Sequence, residues 1–201
     1  MRILVGCEYS GTVREAFRKL DARHQVYSCD LLPSDDNSPF HIVGDVRDII
    51  ENHGPWDLII IHPPCTALAV SGNRHYGAGK PKHSERVKAV EWTKELYQLA
   101  CNNSPRVCME NPVGVLGSMG GLYPTQYIQP FEHGHPETKK TGLWLHGLEP
   151  LKPTNDVKAE FDSLPRSEAH RIHYLPPTED RWKIRSKTYN GIALAMATQW
   201  G

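Results

Sequence analysis

Arg2-Ile3-Leu4-Val5-Gly6-Cys7-Glu8-Tyr9-Ser10-Gly11-Thr12 is the stretch that decides the fold class. A short apolar run ends at Gly6, a turn follows through Gly11, and Val13, Ala16, Phe17 and Leu20 then recur at helical spacing. Strand, small-residue turn and amphipathic helix in that order begin a βαβ unit. The rhythm repeats. Apolar runs at Gln25 to Ser28, His41 to Val43, Leu58 to Ile61 and Arg106 to Met109 are strand candidates, and a helix is expected over about Arg86 to Ala100 on the stripe Val87, Val90, Leu96 and Leu99. These alternations predict an α/β fold with a mostly parallel central sheet and ligand-holding loops at the carboxyl ends of its strands.

Beyond about Gly114 the pattern loosens into Gly120-Gly121, Pro124, Pro130, Pro136, Pro150, Pro153 and Pro165. Irregular strands are expected around Gln126 to Pro130 and Gly142 to His146, then a poorly structured stretch. The last segment, Asn190 to Trp200, carries Ile192, Ala193, Met196 and Ala197 at helical spacing and is expected to pack back onto the sheet. A chain of 201 residues has room for one α/β domain, read as a core over 1–115, a reduced irregular insert over 116–185 and a closing helix over 186–201.

Composition narrows the classes. The 23 Lys and Arg balance the 23 Asp and Glu, so no global charge advertises a polyanionic partner. Cations cluster locally at Arg74, Lys80, Lys82, Arg86 and Lys88 and at Arg181, Lys183, Arg185 and Lys187, as phosphate contacts or as solvated loops. The odd set Cys7, Cys29, Cys65, Cys101 and Cys108 lacks a Cys-x-x-Cys pair, which argues against a disulfide framework and structural zinc; no metal is expected. No window of about eighteen apolar residues occurs, and the chain is read as soluble, cytoplasmic and away from membranes.

The turn Gly6-Cys7-Glu8-Tyr9-Ser10-Gly11 lets a ligand approach the backbone at a helix N-terminus, although many strand-to-helix turns carry two glycines without a ligand. Asp30, after the second strand run, stands where an acid accepts hydrogen bonds from ribose hydroxyls, and Asp45 in Gly44-Asp45-Val46 follows the third in the same way. Acids in both places suit a ligand with adenosine and an amino-acid tail better than a dinucleotide.

The fourth strand run leads into His62-Pro63-Pro64-Cys65-Thr66 and the fifth into Glu110-Asn111-Pro112, which brings Cys65 and Glu110 to one sheet edge. A thiolate adding to C6 of cytosine turns C5 into an enamine carbon able to attack a sulfonium methyl, and a carboxylic acid donating at N3 lowers that barrier. Cys65 and Glu110 suit those two tasks. The plain alternatives are a buried inert thiol and a surface carboxylate capping a turn.

The order Gly6 to Gly11, Asp30, Asp45, Pro64-Cys65, Ser71-Gly72, Glu110-Asn111 and Asn190 resembles the motif series of the DNA cytosine-5 methyltransferases, in particular their short, phage-type members. The resemblance covers about the first 115 residues and the last 15. It implies a Rossmann-like S-adenosylmethionine-dependent methyltransferase fold, with S-adenosylmethionine held by Gly6, Glu8, Ser10, Gly11, Asp30, Asp45, Val46 and Asn190. It further implies Cys65 as nucleophile, Glu110 and Asn111 on the cytosine, and a mobile loop with Pro64, Ser71, Gly72 and Arg74 against the substrate. The sequence departs from the family's Phe-x-Gly-x-Gly-Gly, Phe-Pro-Cys-Gln and Glu-Asn-Val, and no Gln-x-Arg-x-Arg follows; His133, His135, Lys139 and Lys140 are the candidates for that half of the pocket. Too few residues precede Asn190 for a target-recognition domain, so low sequence specificity is expected on duplex or single-stranded DNA, with recognition by a partner protein left open. In duplex DNA the base must also be flipped out, at about a few kcal/mol.

Other readings stay open at this level. His62-Pro63-Pro64-Cys65 is similar to the Asp/Asn-Pro-Pro-aromatic loop of amino-directed DNA methyltransferases, whose products are N4-methylcytosine or N6-methyladenine. The fold also suits a non-catalytic nucleic-acid-binding or inhibitory protein, or the same chemistry on a free nucleotide or RNA. Trp144, Trp182 and Trp200 read as packing aromatics, and His170 and His173 as solvent-facing.

Overall fold

The computed structural model describes residues 1–201. Its centre is a sheet built from β1 (Arg2–Gly6), β2 (Gln25–Asp30), β3 (His41–Val43), β4 (Leu58–Ile61), β5 (Val107–Pro112), β6 (Gln126–Ile128) and β7 (Thr141–His146). The strand order is β3-β2-β1-β4-β5-β7-β6; β1 to β5 pair in parallel, and β7 pairs antiparallel with both β5 and β6. Leu58, Ile59, Ile60 and Ile61 are all fully buried, since a parallel strand covered on both faces has no solvent side on which to place a polar residue.

Helices cover the two faces. On one side α1 (Thr12–Leu20) and α10 (Asn190–Trp200) enclose Phe17, Val5, Ile60, Cys108, Leu143 and Met196. On the other, α2 (Val46–Asn52), α4 (His83–Asn103) and α5 (Leu116–Gly120) bury Leu4, Ile59, Met109, Leu96 and Trp144. The stretch between β4 and α4 holds the short α3 (Asn73–Tyr76). Each fully buried Phe, Leu or Ile contributes roughly 1.5–3 kcal/mol to this three-layer arrangement.

The two strands expected between residues 116 and 185 form as β6 and β7 and join the central sheet. One expectation is corrected. The stretch expected to be poorly structured forms α6 (Lys158–Ser163), α7 (Arg166–Ala169), α8 (Arg171–Tyr174) and α9 (Arg181–Ser186). Tertiary anchors supply what local sequence lacks: Phe161 packs on Phe131 with ring centroids 5.1 Å apart, and Thr138 N–H donates to Ala169 O at 3.1 Å. Trp144 and Trp200 are core residues, whereas Trp182 is half exposed and lies 5.7 Å from the Tyr9 ring. His170 is only partly exposed, His173 is exposed and bonds Thr138 O through Nε2 at 3.1 Å, and no helix is long and apolar enough to cross a membrane.

Candidate active site

Gly6 closes β1 against α2, where a Cβ would lie 2.5 Å from Val46 Cγ2; Val46 itself is buried in that contact. Cys7 then takes φ 57° and Gly11 φ 70°, a non-glycine and a glycine in the left-handed region within one turn. This geometry drives Glu8 inward. Its carboxylate accepts from Val13 N–H at 2.6 Å and Arg14 N–H at 3.3 Å, while burial pushes its pKa up against those donors. Glu8, expected among ligand-facing groups, is therefore spent on the first turn of α1, and the N–H groups it takes are no longer free there. Ser10 is half-buried, its Oγ 3.1 Å from Thr12 Oγ1.

Asp30 and Asp45 come together beside this turn. Gly44 N–H donates to Asp30 O at 2.9 Å, and both acids raise the pKa of the Cys7 thiol after burial has raised it most. Asp45 caps α2 through Arg47 N–H at 2.9 Å and pairs with Arg47 Nη2 at 2.7 Å, which holds its carboxyl below the usual range. Leu31, next to Asp30, is 74% exposed, a bare apolar side chain at the same edge.

The loop after β4 carries the thiol. In the β4–β5 register Ile61 pairs with Met109, so the next residues, His62 and Glu110, meet as the strands end: His62 Nδ1 lies 2.9 Å from Glu110 Oε2. Burial raises the Glu110 pKa, but His62, Lys139 and Thr141 together pull it below the ordinary carboxylate value. An ionised carboxylate only accepts, so Nδ1 carries the hydrogen. Glu110, expected to donate at N3 as a carboxylic acid, is paired with His62. His62 Nε2 has no partner although it is buried.

Cys65 is partly buried, and its thiol pKa is raised by desolvation and then by Glu110, against the opposing charges of Lys139 and Arg185. Asn111, expected on the substrate, is 1% exposed and gives its Nδ2 to Pro63 O at 2.8 Å, so it fixes the loop in front of Cys65; its Oδ1 has no partner. Pro64, Ser71 and Arg74 are exposed along the same loop. Gly72 passes so close to Thr66 that a Cβ would sit 2.6 Å from its carbonyl oxygen.

Arg86, read from sequence as a phosphate contact or as part of a solvated loop, is buried and donates to Ala67 O at 2.6 Å, Ala69 O at 3.3 Å and Asn73 Oδ1 at 2.7 Å. It organises the loop from within. His133 and His135 also act structurally: His133 Nδ1 lies 3.1 Å from Thr154 Oγ1, and His135 Nε2 accepts from Gly191 N–H at 3.0 Å where α10 begins. Asn190, the first residue of α10, is exposed.

The basic C-terminal segment reaches over the same edge. Tyr9 Oη donates to Lys183 O at 3.0 Å, Lys187 pairs with Asp35 at 2.7 Å, and Lys139 Nζ donates to Lys187 O at 3.2 Å. No set of three or more His, Cys, Asp or Glu side chains converges as a metal site would require. The sequence reading passes over Thr141 and the pairing of His62 with Glu110; the equal separation of 48 in the pairs His62–Glu110 and Pro63–Asn111 is the signal that finds that pairing.

No protein-family model and no curated protein matches this sequence. Among solved structures, a protein described as a DNA modification methyltransferase encoded within an E. coli prophage is similar with a TM-score of 0.50 and 14% identity, over 83% of this chain and 56% of that one. The S. pombe Dnmt2 methyltransferase is similar with a TM-score of 0.45 and 14% identity, over 90% of this chain and 60% of that one. The chain thus has a methyltransferase fold, and spans just over half the length of the prophage protein.

Proposed function

We propose that the chain is an S-adenosylmethionine-dependent methyltransferase that modifies cytosine at C5 in DNA, with low sequence specificity and through a covalent Cys65 adduct. The observation that carries this is the convergence of Cys65, the His62–Glu110 pair and Lys139 at the carboxyl ends of β4 and β5, where β7 begins.

The residues fit the donor at its nucleoside end. Asp30 and Asp45 offer carboxylates to hydroxyl and amino groups, and Leu31 offers an apolar surface to a purine face. At the amino-acid end the fit differs from the sequence expectation, since Glu8 already satisfies Val13 and Arg14. When bound, S-adenosylmethionine supplies an electrophilic methyl group.

Lys139 and Arg185 favour the thiolate of Cys65 against burial. The thiolate forms a bond to C6, and the C5–C6 electron pair becomes nucleophilic at C5. As charge arrives at N3, the pair supplies a proton when His62 is imidazolium: Nδ1 passes its hydrogen through Glu110 Oε2 to N3, which leaves neutral imidazole with its hydrogen on Nε2 beside the carboxylate, and N3 returns the proton to the pair when the C6–S bond breaks. After methylation the C5 proton leaves to water, and the C6–S bond breaks to return the thiolate.

The engagement of His62 by Glu110 disfavours an amino-directed loop, in which the first residue holds the exocyclic amine. One observation favours a non-catalytic nucleic-acid-binding protein, namely the capture of the α1 N–H groups by Glu8; that reading requires DNA binding without S-adenosylmethionine binding in calorimetry. The direct test uses methyl-labelled S-adenosylmethionine with duplex and single-stranded DNA, followed by digestion to nucleosides. The labelled product is expected to be 5-methylcytosine. Label in N4-methylcytosine or N6-methyladenine, or in no nucleoside at all, contradicts the proposal.

A further inference from the structure

We infer that the aromatic cleft between α5 and the β6–β7 edge is a stacking subsite for the nucleobase flanking the target base on the substrate strand, an assignment that rests on the nucleic-acid reading of the neighbouring site. Pro112 forms one wall of the cleft. It stands two residues beyond Glu110 on β5, roughly 7 Å along an extended strand, so the cleft begins where the candidate base pocket ends. Tyr123 and Tyr127 line it and are 72% and 46% exposed.

Their exposure is built in. The Tyr123 ring lies against Gly117, where a Cβ would meet it at 2.8 Å, so the ring has a rigid backing and still faces solvent. Trp144 closes the cleft from the core, and its indole N–H is satisfied by Leu122 O at 3.1 Å, which leaves only apolar surface to present. Two bare phenol rings over a satisfied apolar floor make a platform for a planar ring.

Charge selects the kind of planar ring. Lys140 is exposed, with its ammonium 4.5 Å from the Tyr127 ring centroid, while the preceding Lys139 acts on Cys65 and Glu110. One lysine thus serves the candidate chemistry and the next serves the cleft, which supplies a cation for the phosphate joining two neighbouring nucleotides. No acidic side chain lines the cleft.

The test measures affinity by fluorescence anisotropy, using labelled single-stranded oligodeoxynucleotides with one cytosine whose neighbours are either normal or abasic. Tyr123→Ala and Tyr127→Ala are expected to weaken binding of the normal strand about tenfold each, and Tyr127→Phe by less than about twofold, because stacking needs the ring and not the hydroxyl. On the abasic strand the alanine variants and the wild type are expected to bind alike. Unchanged affinity in the alanine variants, an equal loss on the abasic strand, or no binding by the wild type overturns the inference. The two claims separate cleanly: ring-dependent binding without methyl transfer rejects the Cys65 chemistry alone, and methyl transfer without ring dependence rejects the subsite alone.

Discussion

Cys65 and Glu110 are on the same sheet edge, but neither is prepared for chemistry in isolation. Desolvation pushes the thiol pKa up, and the neighbours of Glu110 pull its carboxyl pKa down. In the proposed mechanism His62, as imidazolium, supplies the hydrogen that Glu110 passes on. His62→Ala is therefore expected to slow methyl transfer by about a hundredfold or more. The pH dependence should change as well. Without the imidazole only Lys139 and Thr141 oppose burial, so the Glu110 pKa rises, and the residual rate falls as pH rises through that higher value, where the carboxyl loses its own proton. A pH–rate profile of the same shape as wild type shows that His62 only supports the fold. The lowered Glu110 pKa also stabilises the folded chain at pH above the unfolded carboxyl value of about 4.3, a contribution lost as pH falls through the folded value. Cys65 and Glu110 are legible in the sequence because their residue types are chemically unusual at strand ends. His62 is not, since its role depends on a strand register that only pairing reveals.

Arg86 shows how an element prepares a residue. It belongs to α4, yet its guanidinium reaches under the Cys65 loop and holds two carbonyls and Asn73. The loop is also laced to the turn after β5, where Val70 N–H donates to Val113 O and Val115 N–H to Leu68 O. Removing the guanidinium leaves buried acceptors without donors. Arg86→Ala is expected to cost about 2–4 kcal/mol in denaturant unfolding, and Arg86→Lys to recover little of it, because a point charge cannot reproduce the planar fork. A loss within about 0.5 kcal/mol, the range of ordinary surface substitutions, contradicts this role. The helix itself follows from Val90 and Leu96, and every parallel strand follows from its apolar run. That Arg86 faces inward does not follow, since a charged residue in a basic run reads as solvent-exposed until a partner is seen. Glu8 and Asn111 likewise have a use that the sequence does not show: each is a polar residue in a ligand motif that the fold also employs to satisfy its own backbone.

Across the whole molecule, the carboxyl edge is assembled from distant parts of the chain. The β1 turn, the β4 and β5 loops, the start of β7 and the basic segment around α9 all contribute. The short helices between β7 and α10 escape sequence reading because each is only about one turn long, and an isolated helix of that length is unstable without tertiary contacts. Their cations also change meaning in place. Lys187 is paired with Asp35, and Arg185 lies near enough to Cys65 to affect its thiol.

The central claim concerns a single bond between sulfur and carbon. The most direct measurement incubates the protein with S-adenosylmethionine and single-stranded DNA containing 5-fluorocytosine, then takes the intact mass under denaturing conditions. Fluorine does not leave C5 as a cation, so a stable protein–DNA species carrying the transferred methyl group is expected with wild type and not with Cys65→Ala. Equal adduct in Cys65→Ala, or none with wild type on a strand it demonstrably binds, contradicts the account.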